Sequence, residues 1–85
     1  MTAALAAELS EKGILANSVG PGVIDTELTR GVLGESGISE LKGRIPMKRL
    51  GQASEIAALV SWLVSDENTY MTGQNLMIDG GFTRV

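Results

Sequence analysis

Few side chains in this sequence can carry acid–base or nucleophilic chemistry, and their spacing does not gather them. With no histidine and no cysteine, Ser–His nucleophile pairs, thiolate chemistry and His/Cys zinc sites are excluded, and no metal-ligating set is assigned. Asp25 and Glu27 follow a turn at i and i+2, which reads as the solvated acidic first turn of a helix rather than a catalytic carboxylate pair. What remains is a stretch that makes a site from its backbone, Asn17-Ser18-Val19-Gly20-Pro21-Gly22-Val23-Ile24-Asp25-Thr26. Proline has no N–H for a strand ladder, and glycine opens dihedrals that other residues avoid. Gly20-Pro21-Gly22 therefore predicts a sharp end to a short buried strand made by Ile14, Leu15, Ala16 and Val19. Beyond the turn, Asp25 and Thr26 can each cap a following helical turn. Backbone donors and a hydroxyl then converge just past the carboxyl end of a strand, where open α/β sheets bind ligands.

The elements around that stretch must position it. Met1 to Lys12 is alanine-rich, has Leu5, Glu8 and Leu9 at helical spacing, and stops at Lys12-Gly13, a basic last turn before a residue that tolerates a left-handed cap. Residues 27 to 44 mix Leu28, Val32, Leu33, Ile38 and Leu41 with Gly31, Gly34, Gly37 and Gly43. Each glycine costs a helix about 1 kcal/mol relative to alanine, so the spacing predicts short mobile helical turns. Such a segment reads equally as a lid or as a flexible surface connection. Its Gly31-to-Gly37 run is not a phosphate cradle: it follows no strand, lacks a Gly-Lys-Ser/Thr ending and carries Glu35.

Ile45-Pro46 predicts an extended connection to Arg49-Leu50-Gly51, after which Ser54 is the expected cap of a helix from Glu55 to Val64. Ile56, Leu59, Val60, Leu63 and Val64 form one apolar stripe, and Ala58 and Trp62 fall off it. That position suits Trp62 either to a partner surface or to cover by a neighbouring loop. Asn75 to Asp79 alternates as a strand that stops at Asp79-Gly80-Gly81. The order helix, strand, short helical excursion, helix, strand predicts an α/β fold, a partial Rossmann-like unit whose two strands pair in parallel through a crossover. Residues 1–85 read as one partial domain.

Composition narrows the partners. The net charge of −3 and pI near 4.7 argue against nucleic acid, and Trp62, Tyr70 and Phe82 are too few to stack bases. No apolar run approaches the roughly 18 residues of a membrane span, and no basic start marks a signal peptide. A cysteine-free chain suits a reducing compartment, and the cytoplasm is the expected location. At 44% hydrophobic residues in 85, part of the apolar surface is expected to face a partner.

These residues, taken together, resemble a known family. Asn17-x-Val19-x-Pro21-Gly22-x-Ile24-x-Thr26, Ile45-Pro46-x-x-Arg49-x-Gly51-x-x-x-Glu55-Ile56-Ala57, Leu63-x-Ser65-Asp66, Tyr70-Met71-Thr72-Gly73-Gln74 and Asp79-Gly80-Gly81 are similar to the carboxy-terminal third of a short-chain dehydrogenase/reductase, over essentially all 85 residues. Gly20 departs from the alanine or serine common there, and Ala53-Ser54 from a proline and an acidic residue. The resemblance implies that Pro21, Gly22, Ile24 and Thr26 lie at the nicotinamide end of NAD or NADP. The Ile24 backbone would meet the carboxamide, and the Thr26 hydroxyl the carboxamide or diphosphate. Residues 27 to 44 would be the substrate lid, and the helix near Trp62 and the strand Leu76 to Ile78 would pair in oligomers.

The family's glycine-rich diphosphate turn and its Tyr-x-x-x-Lys are not among these residues; Tyr70 is followed at plus four by Gln74. By register, Met1 falls several residues after the family's lysine. No residue is therefore assigned as catalytic, the chain is expected to be inactive alone, and no dinucleotide is expected to bind tightly. Loss of upstream strands would leave an unpaired edge at Ile14, so a homo-oligomer is expected through that edge, the Trp62 helix or the Leu76 to Ile78 strand. The alternative is a fragment of an NAD(P)-dependent oxidoreductase that works only with its amino-terminal part.

Overall fold

Two short parallel strands tie the ends of the chain together in the structure, a computed structural model that describes residues 2–84. Strand β1 is Ser18–Pro21 and β2 is Asn75–Ile78, in register from Ser18–Asn75 to Pro21–Ile78. Between them lie helices α2 (Glu27–Arg44) and α3 (Ala53–Leu63); helix α1 (Thr2–Ser10) precedes β1, and a 3₁₀ turn (Phe82–Arg84) follows β2. This is the expected α/β crossover unit. Met1, where the first helix was expected to begin, lies outside the described residues.

The first strand sits later than its apolar residues predict, and it runs through the Gly-Pro pair. Ser18 N–H donates to the Gln74 carbonyl at 2.9 Å and Gly22 N–H to the Ile78 carbonyl at 3.0 Å. Alternate amides of a parallel strand face the same neighbour, so position 21 faces away from β2 and its proline forfeits no ladder bond. The glycines serve close approach: a Cβ on Gly22 would lie 2.7 Å from Asp79 Cβ, and one on Gly20 2.5 Å from the Met77 sulfur. Ile14 and Leu15 are exposed ahead of the strand. The edge expected at Ile14 is therefore not a strand edge; the unpaired edge lies at Val19 and is cut short by Pro21.

Residues 16 and 17 are instead clasped by the turn before β2. Thr72 Oγ1 accepts the Ala16 N–H at 2.8 Å, and Gly73 N–H donates to the Ala16 carbonyl at 2.7 Å. Asn17 donates from Nδ2 to the Met71 carbonyl and accepts the Gln74 N–H, both at 3.0 Å. Helix α1 rests on the same turn through buried Ala6. It ends as expected at Gly13, whose φ is +76°, with the Ile14 and Gly13 N–H groups closing back on the Leu9 and Ser10 carbonyls.

Residues 27–44 are more helical than four glycines suggest, but they are not one helix. Gly34, at φ 68° and ψ 175°, breaks the run into two segments. Helix α3 begins two residues earlier than expected. Its cap is Gln52, not Ser54, because the Glu55 carboxylate reaches back to the Gln52 N–H at 2.9 Å. Ile56, Leu59 and Leu63 are half-buried as the stripe predicts, whereas Val60 and Val64 are exposed, as is Trp62.

The core is small: Ile38, Ile45 and Leu50 are buried, with Val23, Leu33 and Phe82 packed on them. The radius of gyration is 15.7 Å, against about 12 Å for a compact chain of this length. Accessible surface is 6038 Å², against about 4,800 Å² expected for a compact protein of 8.9 kDa. About 1,200 Å² more surface is open than a self-contained fold leaves.

Candidate functional site

After β1 the chain passes a glycine that clamps it from both sides. Gly51 N–H donates to the Val23 carbonyl at 3.0 Å, and Asp25 N–H donates to the Gly51 carbonyl at 2.8 Å, which makes the isolated parallel bridge between Ile24 and Gly51. Side-chain space there is also taken, since a Cβ on Gly51 would lie 3.0 Å from Ile24 Cδ1. Because Val23 and Asp25 point their polar groups at Gly51, the N–H and carbonyl of Ile24 point the other way. Among the described residues, neither Ile24 group has a hydrogen-bond partner. A donor and an acceptor on one residue are thus held open by a clamped loop.

Thr26 closes the loop as the N-cap of α2. It has extended dihedrals, and its Oγ1 accepts the Thr29 N–H at 3.2 Å and lies 3.0 Å from Thr29 Oγ1. Asp25, expected as a second cap, does something else: its carboxylate takes a two-pronged bond from Arg30, Nε to Oδ1 at 2.6 Å and Nη2 to Oδ2 at 2.8 Å. That bond holds the Asp25 carboxyl below its ordinary pKa against an opposing push from desolvation. Glu27 stands in the first turn of α2, as expected.

The four predicted site residues share this loop but not a cavity. Pro21 is exposed, Gly22 sits against Asp79, Ile24 is half-buried and Thr26 is exposed. A pocket of about 110 Å³ opens behind Ile24, between Met47, Gly51, Ile56, Ile78 and Asp79. Pro21, Gly22 and Thr26 do not line it.

The acids near the loop are already committed. Glu55 takes both prongs of Arg49, at 2.8 and 2.9 Å, along with the Gln52 N–H; these bonds, Arg49 first, bring its pKa down to about 2. Asp79 is lowered first by the Thr83 side chain, and it accepts the Gly81 and Thr83 N–H groups at 3.0 and 3.1 Å. Ionised carboxylates tied in this way orient the backbone; they are poor proton donors at neutral pH. The arrangement can therefore bind and orient a polar planar group, with Glu55 and Asp79 acting on the backbone.

Sequence reasoning missed two clamps. Asn17 appears in the recognised pattern without a stated role, and the structure makes it the bolt between β1 and the 71–74 turn. Buried Asn68 donates to the Leu63 and Met71 carbonyls and accepts the Met71 N–H. Its partners lie three and five residues away, so an Asn side chain turning back on its own backbone was the signal available.

The family model described as Enoyl-(Acyl carrier protein) reductase matches residues 1–83. A 3-oxoacyl-[acyl-carrier-protein] reductase, FabG, of Pseudomonas aeruginosa is 48% identical over 80 residues, which are 94% of this chain and 32% of that protein. The crystal structure of a short chain dehydrogenase family protein from Francisella tularensis superposes with a TM-score of 0.92 at 35% identity, over 100% of this chain and 39% of that one. A 4-hydroxyisoleucine dehydrogenase complexed with NADH superposes at 0.89 and 34% identity, over 99% of this chain and 35% of that one. The chain spans about a third of the length of the curated relatives it matches.

Proposed function

The chain belongs to the short-chain dehydrogenase/reductase family, and from that premise we propose that it is the carboxy-terminal third of an NAD(P)-dependent oxidoreductase, supplying the nicotinamide-side wall and the lid of the site. The open N–H and carbonyl of Ile24 carry this reading. A nicotinamide carboxamide is planar and has one acceptor oxygen and one amino donor, the complement of that pair. Pro21 and Gly22 would form the floor beside the ring. The Thr26 hydroxyl accepts the Thr29 N–H and, with the Thr29 hydroxyl as donor in their 3.0 Å contact, keeps its own proton for the carboxamide or the diphosphate. The nicotinamide supplies the hydride chemistry. This chain's residues orient the ring face and exclude water from one side of it.

The proton donor and the dinucleotide cradle are supplied by residues other than these, so the 85 residues alone bind NADH or NADPH with a dissociation constant of about 1 mM or weaker and do not transfer hydride. Calorimetry on the chain tests the first half of this reading, and micromolar binding would overturn it. A chimera tests the second: the matching third of the Pseudomonas reductase is replaced by this chain. The chimera oxidises NADH or NADPH with a 3-oxoacyl substrate while the chain alone does not, and a folded but inactive chimera would sink the proposal.

The open surface favours a second reading for the isolated chain. An excess of about 1,200 Å² per copy is on the scale that specific interfaces bury. The isolated chain then forms a dimer or larger assembly, with the exposed Trp62 face of α3, β2 or the short β1 edge as candidate surfaces. Sedimentation at micromolar concentration checks this, and a monomer would exclude it. The cysteine-free composition fits a cytoplasmic location.

A further inference from the structure

A cap fixes where a helix starts, but not the angle at which it leaves. The first segment of α2, residues 27–33, has little packing to set that angle, because Leu28 and Val32 are 77% and 74% exposed. At its far end Leu33 touches the core, and Gly34 then breaks the run at φ 68° with nothing within 4 Å of where a Cβ would be. Beyond the break, the 35–44 segment is anchored by buried Ile38. Residues 27–33 are therefore a lever with a joint at each end, and besides the cap bonds of Thr26 one ion pair spans the near joint. Arg30, from the lever's first full turn, grips both carboxylate oxygens of Asp25, whose own N–H is bonded to the Gly51 carbonyl. The pair joins a thinly packed segment to the clamped loop, next to the open backbone of Ile24.

We infer that Asp25 and Arg30 form a latch that sets the angle of residues 27–33 over the Ile24 loop, making both positioning residues for the molecule that meets the nicotinamide face. The inference rests on the proposed oxidoreductase reading for what the lever covers, and on geometry alone for the latch. A two-pronged guanidinium–carboxylate contact fixes direction as well as distance, which a lysine point charge does not. The pair spans i to i+5 across the cap, so it constrains the joint rather than the helix itself.

Two measurements test it separately. In the 85-residue chain, Arg30→Gln speeds amide hydrogen exchange in residues 27–33 by about threefold or more, relative to unchanged exchange in 35–44, and Arg30→Lys falls between the two. In the Pseudomonas chimera, Arg30→Gln raises the KM of the carbonyl substrate by about threefold while kcat and the KM of the dinucleotide stay within about twofold. Asp25→Asn reproduces both effects, and combining it with Arg30→Gln adds little. Unchanged exchange in 27–33 overturns the latch. Faster exchange with an unchanged KM overturns its positioning role. An inactive chimera with faster exchange in 27–33 leaves the latch standing and removes the oxidoreductase reading.

Discussion

Residues 21–26 and residues 27–33 adjoin in sequence and are held by opposite means. The first stretch is fixed almost wholly by backbone: β2 on one side, Gly51 bonded to Val23 and Asp25 on the other, and glycines wherever a Cβ would strike a neighbour. The second is a helical segment with two exposed apolar side chains, a break at Gly34 and one ion pair across its start. In the proposed reading, the shape that holds a ligand is built from backbone bonds and close packing. Shape that must admit one is built from contacts weak enough to open.

The largest effect is expected where the fixed region is tightest. Gly22→Ala places a methyl 2.7 Å from Asp79 Cβ and 2.8 Å from its Cα, and backbone cannot give way as a side-chain tip can. A loss of about 2 kcal/mol follows, read as a lower urea midpoint by circular dichroism. A loss below about 0.5 kcal/mol would mean that β2 is free to shift, and the fixed region is then not fixed.

Asn17→Ala ranks next. The Met71 carbonyl keeps its bond from Asn68, but the Gln74 N–H loses its acceptor, for a cost of about 1–2 kcal/mol. Asn17→Asp separates shape from bonding: it keeps the acceptor for Gln74 and loses the donor to Met71, so its midpoint falls less than that of the alanine variant.

Two glycines in the lever region sharpen the contrast with opposite signs. Gly34→Ala meets no atom, but it forces a β-carbon into φ 68°, ψ 175°, a loss of about 1–2 kcal/mol. Gly31→Ala also meets no atom and lies in helix, so it gains about 0.5–1 kcal/mol. Equal effects at the two positions would mean that the break at Gly34 relaxes freely and residues 27–44 act as one rod.

The same contrast explains what was legible in the sequence. Element order, the parallel pairing and the cap at Gly13 follow from local pattern, and each appears in the structure; of the two readings left for Trp62, the structure leaves it exposed. The end of β1 was not legible, because Gly20-Pro21-Gly22 reads locally as a turn. Only the register with β2 shows that position 21 faces away from its partner and that both glycines are demanded by Met77 and Asp79. Ser54 lost the cap of α3 to Gln52 because Glu55 bonds backward, a choice made by Arg49 outside the helix. Within the site, Thr26 was readable as a cap. The openness of Ile24 was not, since it depends on Gly51 arriving from across the crossover.

The smallest expected effect is in acid, and its sign is set by which carboxylates are held ionised. Glu55 has a folded pKa of about 2 against an ordinary 4.5. Its contribution to stability is therefore fully present above about pH 4.5 and is lost as the pH falls toward 2. Asp25 and Asp79 shift in the same direction from 3.8, so their contributions are present above about pH 3.8 and are likewise lost in acid. Both members of the Glu55–Arg49 pair are substantially solvated, which keeps the effect small. Its place is still informative, because Glu55 fastens Gln52, the residue after the Gly51 clamp. On acidification below pH 4.5, amide exchange should rise first in residues 51–55 and 23–25. Glu55→Gln should flatten that acid limb, so that variant and wild type converge near pH 2. Parallel stability curves for the two, or exchange rising first in residues 27–33, would show that the lever lets go before the clamp and would reverse the ranking of fixed and moving parts.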